Sequence, residues 1–192
     1  MARPREFDER VAVARAREAF WEGGTAGTSI TDLCRATGLA SGSIYKAWGS
    51  KAGLHRATLD DYLEAALART TQALREAPSP RAGLDRWLDD VARAAGGEAG
   101  PAGCYAVTCA LESSPAEPWV GERLVRHDRA VHDEITSAVA RAVAAGELRS
   151  ADPAADARLL QVLVHGVQVE ARKGTSTDAA RAVLRTALGR LA

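Results

Sequence analysis

The sequence predicts an all-α protein of about nine helices. Strand-type alternation of β-branched and aromatic residues is nearly absent, and aromatic residues make up only 5% of the 192 residues. Apolar residues instead recur at helical spacing between glycine and proline breaks, which indicates amphipathic helices. The 46% hydrophobic and 26% charged content is typical of globular proteins.

Three further features set the expected environment. No run of about 18 apolar residues occurs, so we expect no membrane span. The N-terminus, MARPREFDER, is charged and lacks the apolar segment of a secretory signal. Three cysteines, an odd count without metal-ligand CxxC spacing, favour a reduced, cytoplasmic setting.

Residues 28–51 have the pattern of a helix-turn-helix. Thr28 or Ser29 is placed to cap the first helix, because a hydroxyl accepts the free N–H groups of a first turn. Gly38 follows where the turn requires a residue that tolerates positive φ. Ser41 is placed to cap the second helix. Apolar residues at helical spacing are expected to face inward: Ile30, Leu33, Cys34, Leu39, Ile44 and Trp48.

The outward face of the second helix suits the major groove of DNA. It carries small hydroxyl residues, then a phenol and an amine: Ser41, Gly42, Ser43, Tyr45 and Lys46. Lys51 follows a capping Ser50 at the start of the next helix, which predicts a phosphate-binding site there, and Thr28 is a further expected phosphate contact. Spacing alone also fits three small helices with solvated polar faces.

Charge distribution adds a mild signal. The net charge is zero, but residues 1–51 hold eight basic against six acidic side chains, so the rest of the chain is −2. A +2 head fits DNA binding, although many domains would show the same. In the N-terminal arm, Arg3 and Arg5 could reach a minor groove or phosphates; a disordered terminus explains them equally well.

The string AFWEGGTAGTSITDLCRATGLASGSIYKAWGSKAGL, residues 19–54, resembles the DNA-binding domain of the tetracycline-repressor (TetR) family. Two positions depart from the family pattern: Trp48 stands where phenylalanine is usual, and Ala47 where histidine is frequent. Sixteen matching positions within residues 19–54 make the resemblance specific: Ala19, Phe20, Gly24, Thr28, Ser29, Ile30, Gly38, Leu39, Ser41, Gly42, Ile44, Tyr45, Trp48, Ser50, Lys51 and Leu54.

The remaining helices are placed by periodicity and breaks. The first spans 8–22, with an inward stripe of Val11, Ala14, Ala19 and Phe20. The fourth spans 51–76 and is long enough to run from the head into the body, where the resemblance implies that it transmits ligand binding to the head. Helices five to nine are expected at 80–95, 104–113, 119–145, 153–172 and 175–191. We therefore expect a DNA-binding domain at 1–51 and an effector-binding and dimerisation domain at 52–192.

The last two helices suggest a second copy of the chain. The helix at 153–172 is apolar nearly all round, so both of its sides must be covered. Gly166 and Ala187 would allow close approach. We expect a homodimer through a four-helix bundle, as the resemblance also implies; a fully internal helix in a monomer is the alternative.

A small-molecule effector pocket is expected in the helical body, because apolar cavities with a few polar anchors are typical ligand sites. For each candidate residue taken singly, ordinary core packing is an equal alternative. The candidates are Trp87, Tyr105, Cys109, Glu112, Trp119, His127, His165 and Gln168.

Other chemistry is not indicated. His55, His127, His132 and His165 form no i,i+4 pair with a third ligand, so no metal site is predicted. His127 with Glu134, or His165 with Glu170, could be acid–base pairs, but no nucleophile motif accompanies them. A disulfide between Cys104 and Cys109 is geometrically poor. No cofactor and no enzymatic activity are predicted.

Together these features predict a DNA-binding transcriptional regulator, a ligand-responsive repressor that acts as a homodimer on a palindromic operator. The alternative is an all-α effector-binding protein or enzyme with a non-functional head.

Overall fold

The computed structural model describes residues 7–97, 103–113 and 117–191. These residues form nine α-helices and no strand, which confirms the predicted all-α fold; Arg3 and Arg5 of the basic arm lie outside them. The helices are α1 (Glu9–Gly23), α2 (Ile30–Thr37), α3 (Ser41–Trp48), α4 (Lys51–Arg75), α5 (Pro80–Ala95), α6 (Tyr105–Glu112), α7 (Pro118–Ala144), α8 (Pro153–Ala171) and α9 (Thr177–Gly189).

Side-chain caps explain most helix starts. The carboxylate of Asp8 accepts N–H groups of Arg10 and Val11 at the start of α1. Serines cap α2, α4, α5 and α9 in the same way. Proline occupies the first turn of α5, α7 and α8, where its missing N–H has no helical partner to lose.

The inward face of α1 differs from the prediction. Val11 is 45% exposed, whereas Val13, Ala16 and Phe20 are buried. Val11 precedes Phe20 by nine residues, and at about 100° per residue the two point to opposite sides of the helix. The predicted stripe mixed two faces: Phe20 is buried and Ala19 is partly buried against the same cluster, whereas Val11 lies on the opposite side.

Two hydrophobic clusters organise the chain. The head cluster joins α1, α2 and α3 to the first half of α4, and it also contains Tyr105 and Cys109 of α6 and Val120 of α7. The body cluster is built from the end of α4 together with α5, α7, α8 and α9. Helix α4 is 25 residues long, about 37 Å, and contributes Leu54 to the head cluster and Leu74 to the body cluster. The boundary at residue 51 stays a prediction, because α4 contributes to both clusters.

Candidate DNA interface and ligand cavity

The turn of the helix-turn-helix is fixed by a capping box and a left-handed glycine. The Ser29 hydroxyl accepts the Asp32 N–H at 3.1 Å, while the Asp32 carboxylate accepts the Ser29 N–H at 3.0 Å. Gly38 ends α2 with φ +74°, where its N–H donates to the Cys34 carbonyl at 2.9 Å. A side chain at Gly38 would be strained, so the glycine sets the direction in which α3 leaves.

Helix α3 presents a polar face to solvent. Ile44 is fully buried beneath it, whereas Tyr45 is 49% exposed. Ser41, Gly42 and Lys46 are also exposed, and Ser43 is half-buried. One detail of the prediction is wrong: Ala40, without a side-chain hydrogen bond, occupies the capping position, and Ser41 is the first residue inside the helix.

Lys51 lies beside α3 at the start of α4. The Ser50 hydroxyl accepts the Gly53 N–H at 3.0 Å, and Lys51 occupies the first helical turn. Over the described ranges, neither Lys46 nor Lys51 forms an ion pair with a carboxylate. Both amines are therefore available to a phosphate.

The predicted phosphate contact from Thr28 requires correction. Its side chain is only 4% exposed, and its hydroxyl donates to the carbonyls of Gly24 at 2.7 Å and Ala19 at 3.1 Å. Because this hydroxyl is occupied inside the head, it secures the loop after α1 and offers nothing to DNA. Ser29, the other capping candidate, is the residue that caps α2.

Four of the predicted pocket residues lie instead at the junction of head and body: Tyr105, Cys109, Glu112 and Trp119. The Tyr105 hydroxyl is 2.9 Å from the Thr58 hydroxyl, and Trp119 stacks edge-on against His55 at 5.2 Å between ring centroids. Periodicity identified these residues as inward-facing, but it does not say which of two cores a helix face meets.

Glu112 makes a direct polar contact with the head. Its Oε2 accepts the Thr25 N–H at 2.9 Å, and an added Cβ at Gly24 would come within 2.9 Å of its Oε1. Gly24 has φ +71°, so the loop after α1 both needs glycine and leaves room for this carboxylate. The α1–α2 loop is thereby attached to α6.

His55 of α4 is enclosed at the same junction. It is 2% exposed, with its Nε2 3.3 Å from the Thr25 hydroxyl and 3.5 Å from Cys109 Sγ, and its Nδ1 has no partner. Burial, with a smaller contribution from Lys51, lowers its pKa from 6.5 to about 4. Burial also raises the pKa of the Cys109 thiol to about 12. Both groups are therefore neutral at physiological pH.

The remaining four predicted residues do share a cavity. Trp87, His127, His165 and Gln168 line a space of about 540 Å³ between α4, α5, α6, α7 and α8. This volume lies in the range of drug-sized ligand pockets. The carboxylate of Asp128 is 3.7 Å from His165 Nε2, and burial lowers the pKa of His127.

Several cavity residues were missed from the sequence, among them Tyr62, Arg69, Arg86 and Cys104. The helical period of α4 gives no reason to single out Tyr62, and arginines at helical spacing look like ordinary solvated residues. The Cys104 thiol contacts the Tyr62 hydroxyl at 3.3 Å, and burial raises the pKa of Cys104. Only the packing of α4 against α5 and α6 brings these groups together.

Helix α6 contacts both sites. Cys104, at its N-terminus, and Ala106 and Val107 line the cavity, and Ala106 also packs against the head cluster. Tyr105, Cys109 and Glu112 recur at helical spacing and face the head. A movement of α6 caused by an occupied cavity would therefore displace contacts of the DNA-binding head.

The described residues offer little other chemistry. No cluster of three or more potential metal ligands occurs in residues 7–97, 103–113 and 117–191. Over the same residues no helix is long and apolar enough to cross a membrane. All three cysteines are free thiols.

Comparison with known sequences identifies both parts of the chain. The family described as "Bacterial regulatory proteins, tetR family" matches residues 12–58, and "Tetracyclin repressor-like, C-terminal domain" matches residues 78–187. The chain belongs to the TetR family. It is a DNA-binding transcriptional regulator, and the family match is to regulators and not to enzymes.

Individual TetR family proteins agree with this assignment. The HTH-type transcriptional repressor ComR of Escherichia coli is 28% identical over 178 residues, 92% of this chain and 85% of ComR. A cysteine mutant of the regulator CifR, complexed with 26 bp double-strand operator DNA, is 28% identical with a TM-score of 0.84 over 100% of both chains. A TetR regulator from Chloroflexus aurantiacus is 29% identical with a TM-score of 0.80, covering 94% of this chain and 91% of that one.

Proposed function

We propose that this TetR family protein is a cytoplasmic, ligand-responsive repressor that binds a palindromic operator as a homodimer. The exposed polar face of α3 carries the proposal, because it places groove-sized side chains and the Lys46 amine near the Lys51 amine at the start of α4. Among the described residues neither amine forms an ion pair with a carboxylate. Similarity to the repressor ComR and to CifR, whose structure includes operator DNA, supports it.

In the proposed complex, α3 enters a major groove. Ser41, Gly42 and Ser43 meet base edges, while Tyr45, Lys46 and Lys51 hold phosphates. A two-fold dimer places its two heads on half-sites about 34–36 Å or more apart. Thr28 is left out of this contact set because its hydroxyl is bonded within the head.

The proposed dimer interface is the outer face of α8 and α9. Leu159, Val162 and Val183 are about half exposed, at 50%, 55% and 49%. Gly166 is exposed on the same helix as Val162 and one turn further along, with open space where a side chain would be. An apolar face with a small residue fits a partner helix that approaches closely. Pairing with the same face of a second copy of the chain would cover the apolar face of each subunit.

The proposed ligand response runs from the cavity through α6 to the head. An effector that fits the cavity in only one of two arrangements of α6 would shift the population toward that arrangement. Because Glu112, Cys109 and Tyr105 contact the head, the shift would change the spacing of the two heads and lower operator affinity.

Fluorescence anisotropy on a labelled palindrome from the gene's own promoter region tests the DNA contacts. Lys46→Ala and Lys51→Ala should each weaken binding and reduce the slope of log affinity against log salt by about 1. Lys173→Ala is the matched control, since Lys173 follows the end of α8, outside the helix-turn-helix, and is paired with Glu170. Absence of specific binding to any duplex at any salt concentration would overturn the proposal.

A further inference from the structure

The cavity of this protein carries unbalanced positive charge on its α4 and α5 sides. Arg69, Arg86 and Arg93 line it and are exposed. The guanidinium of Arg93 is paired with Asp90. Arg69 and Arg86 have no carboxylate partner within the part of the chain that the structure describes.

Arg69 is exposed, and it lines the cavity together with Tyr62 of the same helix. Because the two residues are seven residues apart on α4, they lie on one face of that helix. The Tyr62 hydroxyl contacts Cys104 Sγ at 3.3 Å, which is a weak partner. A ligand oxygen could therefore receive a hydrogen bond from the phenol and a second from the arginine.

The rest of the cavity is largely apolar. Trp87 is buried, and Val91, Val131 and Val164 line the walls between α5, α7 and α8. An apolar group bound here would be removed from water, with a gain of roughly 25 cal/mol per Å² of buried apolar surface. A wholly polar ligand would gain nothing from these walls.

The charged side chains of the cavity indicate how much negative charge a ligand should carry. Three arginines and two carboxylates, Asp90 and Asp128, line the cavity, so its arginines exceed its carboxylates by one. A single negative charge balances this set, whereas a dianion would exceed it. A planar carboxylate also matches the geometry of a guanidinium.

We propose that the cavity binds an amphipathic monocarboxylate, with its carboxylate at Arg69 and the Tyr62 hydroxyl and its apolar body against Trp87. Arg86 adds to the positive field at the same site. This inference rests on the proposed ligand response and names the chemical class of the ligand.

Isothermal titration calorimetry with matched probes tests the inference. Two apolar bodies, naphthyl and decyl, are each presented as the carboxylate, the neutral alcohol and the ammonium ion to the full-length protein. For at least one body, we expect the carboxylate to bind about tenfold or more tightly than the alcohol, and the ammonium ion to bind most weakly.

Two variants assign the effect to the cavity. Arg69→Gln should weaken carboxylate binding about tenfold and leave alcohol binding unchanged. Since Arg69 is exposed and without a carboxylate partner among the described residues, this substitution should not disturb folding, which circular dichroism verifies. Arg126→Gln, an exposed arginine of α7 outside the cavity, should leave the binding of all probes unchanged.

The outcomes separate this inference from the proposed function. Equal or tighter binding of the alcohols or ammonium ions for both bodies overturns it, as does binding of none of the probes up to millimolar concentration. Carboxylate binding that Arg69→Gln does not weaken also overturns it. If carboxylates bind as expected but leave operator affinity unchanged, the ligand class stands and the proposed ligand response fails.

Discussion

The buried imidazole of His55 should make this protein less stable in mild acid. The fold holds His55 neutral by lowering its pKa from 6.5 to about 4, so protonation favours the unfolded chain. The stability that depends on the neutral ring is fully present above pH 6.5 and is lost as the pH falls toward 4. At pH 5, these two pKa values correspond to a loss of about 2 kcal/mol relative to pH 7.5.

Urea denaturation at pH 7.5 and pH 5.0 measures this loss. His55→Gln removes the titrating ring while keeping a polar side chain, so it should lower stability at pH 7.5 yet show about 2 kcal/mol less acid sensitivity than the wild type. Carboxylates and the other histidines are common to both proteins and cancel in the comparison. An identical acid response of the two proteins, or a His55 ring that titrates near pH 6.5 by NMR, would refute the reasoning.

Three further predictions concern the junction, the proposed dimer face and the body core. Glu112→Ala should speed hydrogen exchange of the Thr25 amide about tenfold, and Glu112→Gln should give a rate between those of the wild type and Glu112→Ala. An unchanged rate in Glu112→Ala would show that the contact is not formed in solution. Val162→Glu should halve the mass found by sedimentation, whereas Val125→Glu, on an equally exposed valine of α7, should not. Leu184→Ala, at a fully buried position, should lower the free energy of unfolding measured in urea by about 2–5 kcal/mol. A loss below about 1 kcal/mol would mean that the surrounding side chains repack into the space.

Local chemistry made the helices predictable from the sequence. Capping serines, prolines in first turns and Gly38 act within a few residues of themselves, so α4, α5 and α7 begin and end within one or two residues of the expected positions. The same locality explains why α3 could be predicted from the sequence. Its outward face follows from the helical period once Ile44 is taken as buried.

The cavity and the junction were less accessible to sequence reasoning. Their residues come from helices far apart in the chain, and a periodic pattern tells which side is buried but not against what. Trp119 was therefore expected in the pocket and is found against His55. Val11 was expected on the buried face of α1 and is exposed. In an alanine-rich helix, small side chains give little indication of which face is buried.

The placement of α6 has a consequence for how such a regulator can change over time. Along its short length, Cys104 and Val107 shape the cavity, Tyr105, Cys109 and Glu112 touch the head, and Ala106 does both. In the proposed ligand response, substitutions at Cys104 and Val107 would change which molecule is recognised, while Tyr105, Cys109 and Glu112 would report occupancy in the same way. One helix would thus let chemical preference evolve independently of the signalling geometry.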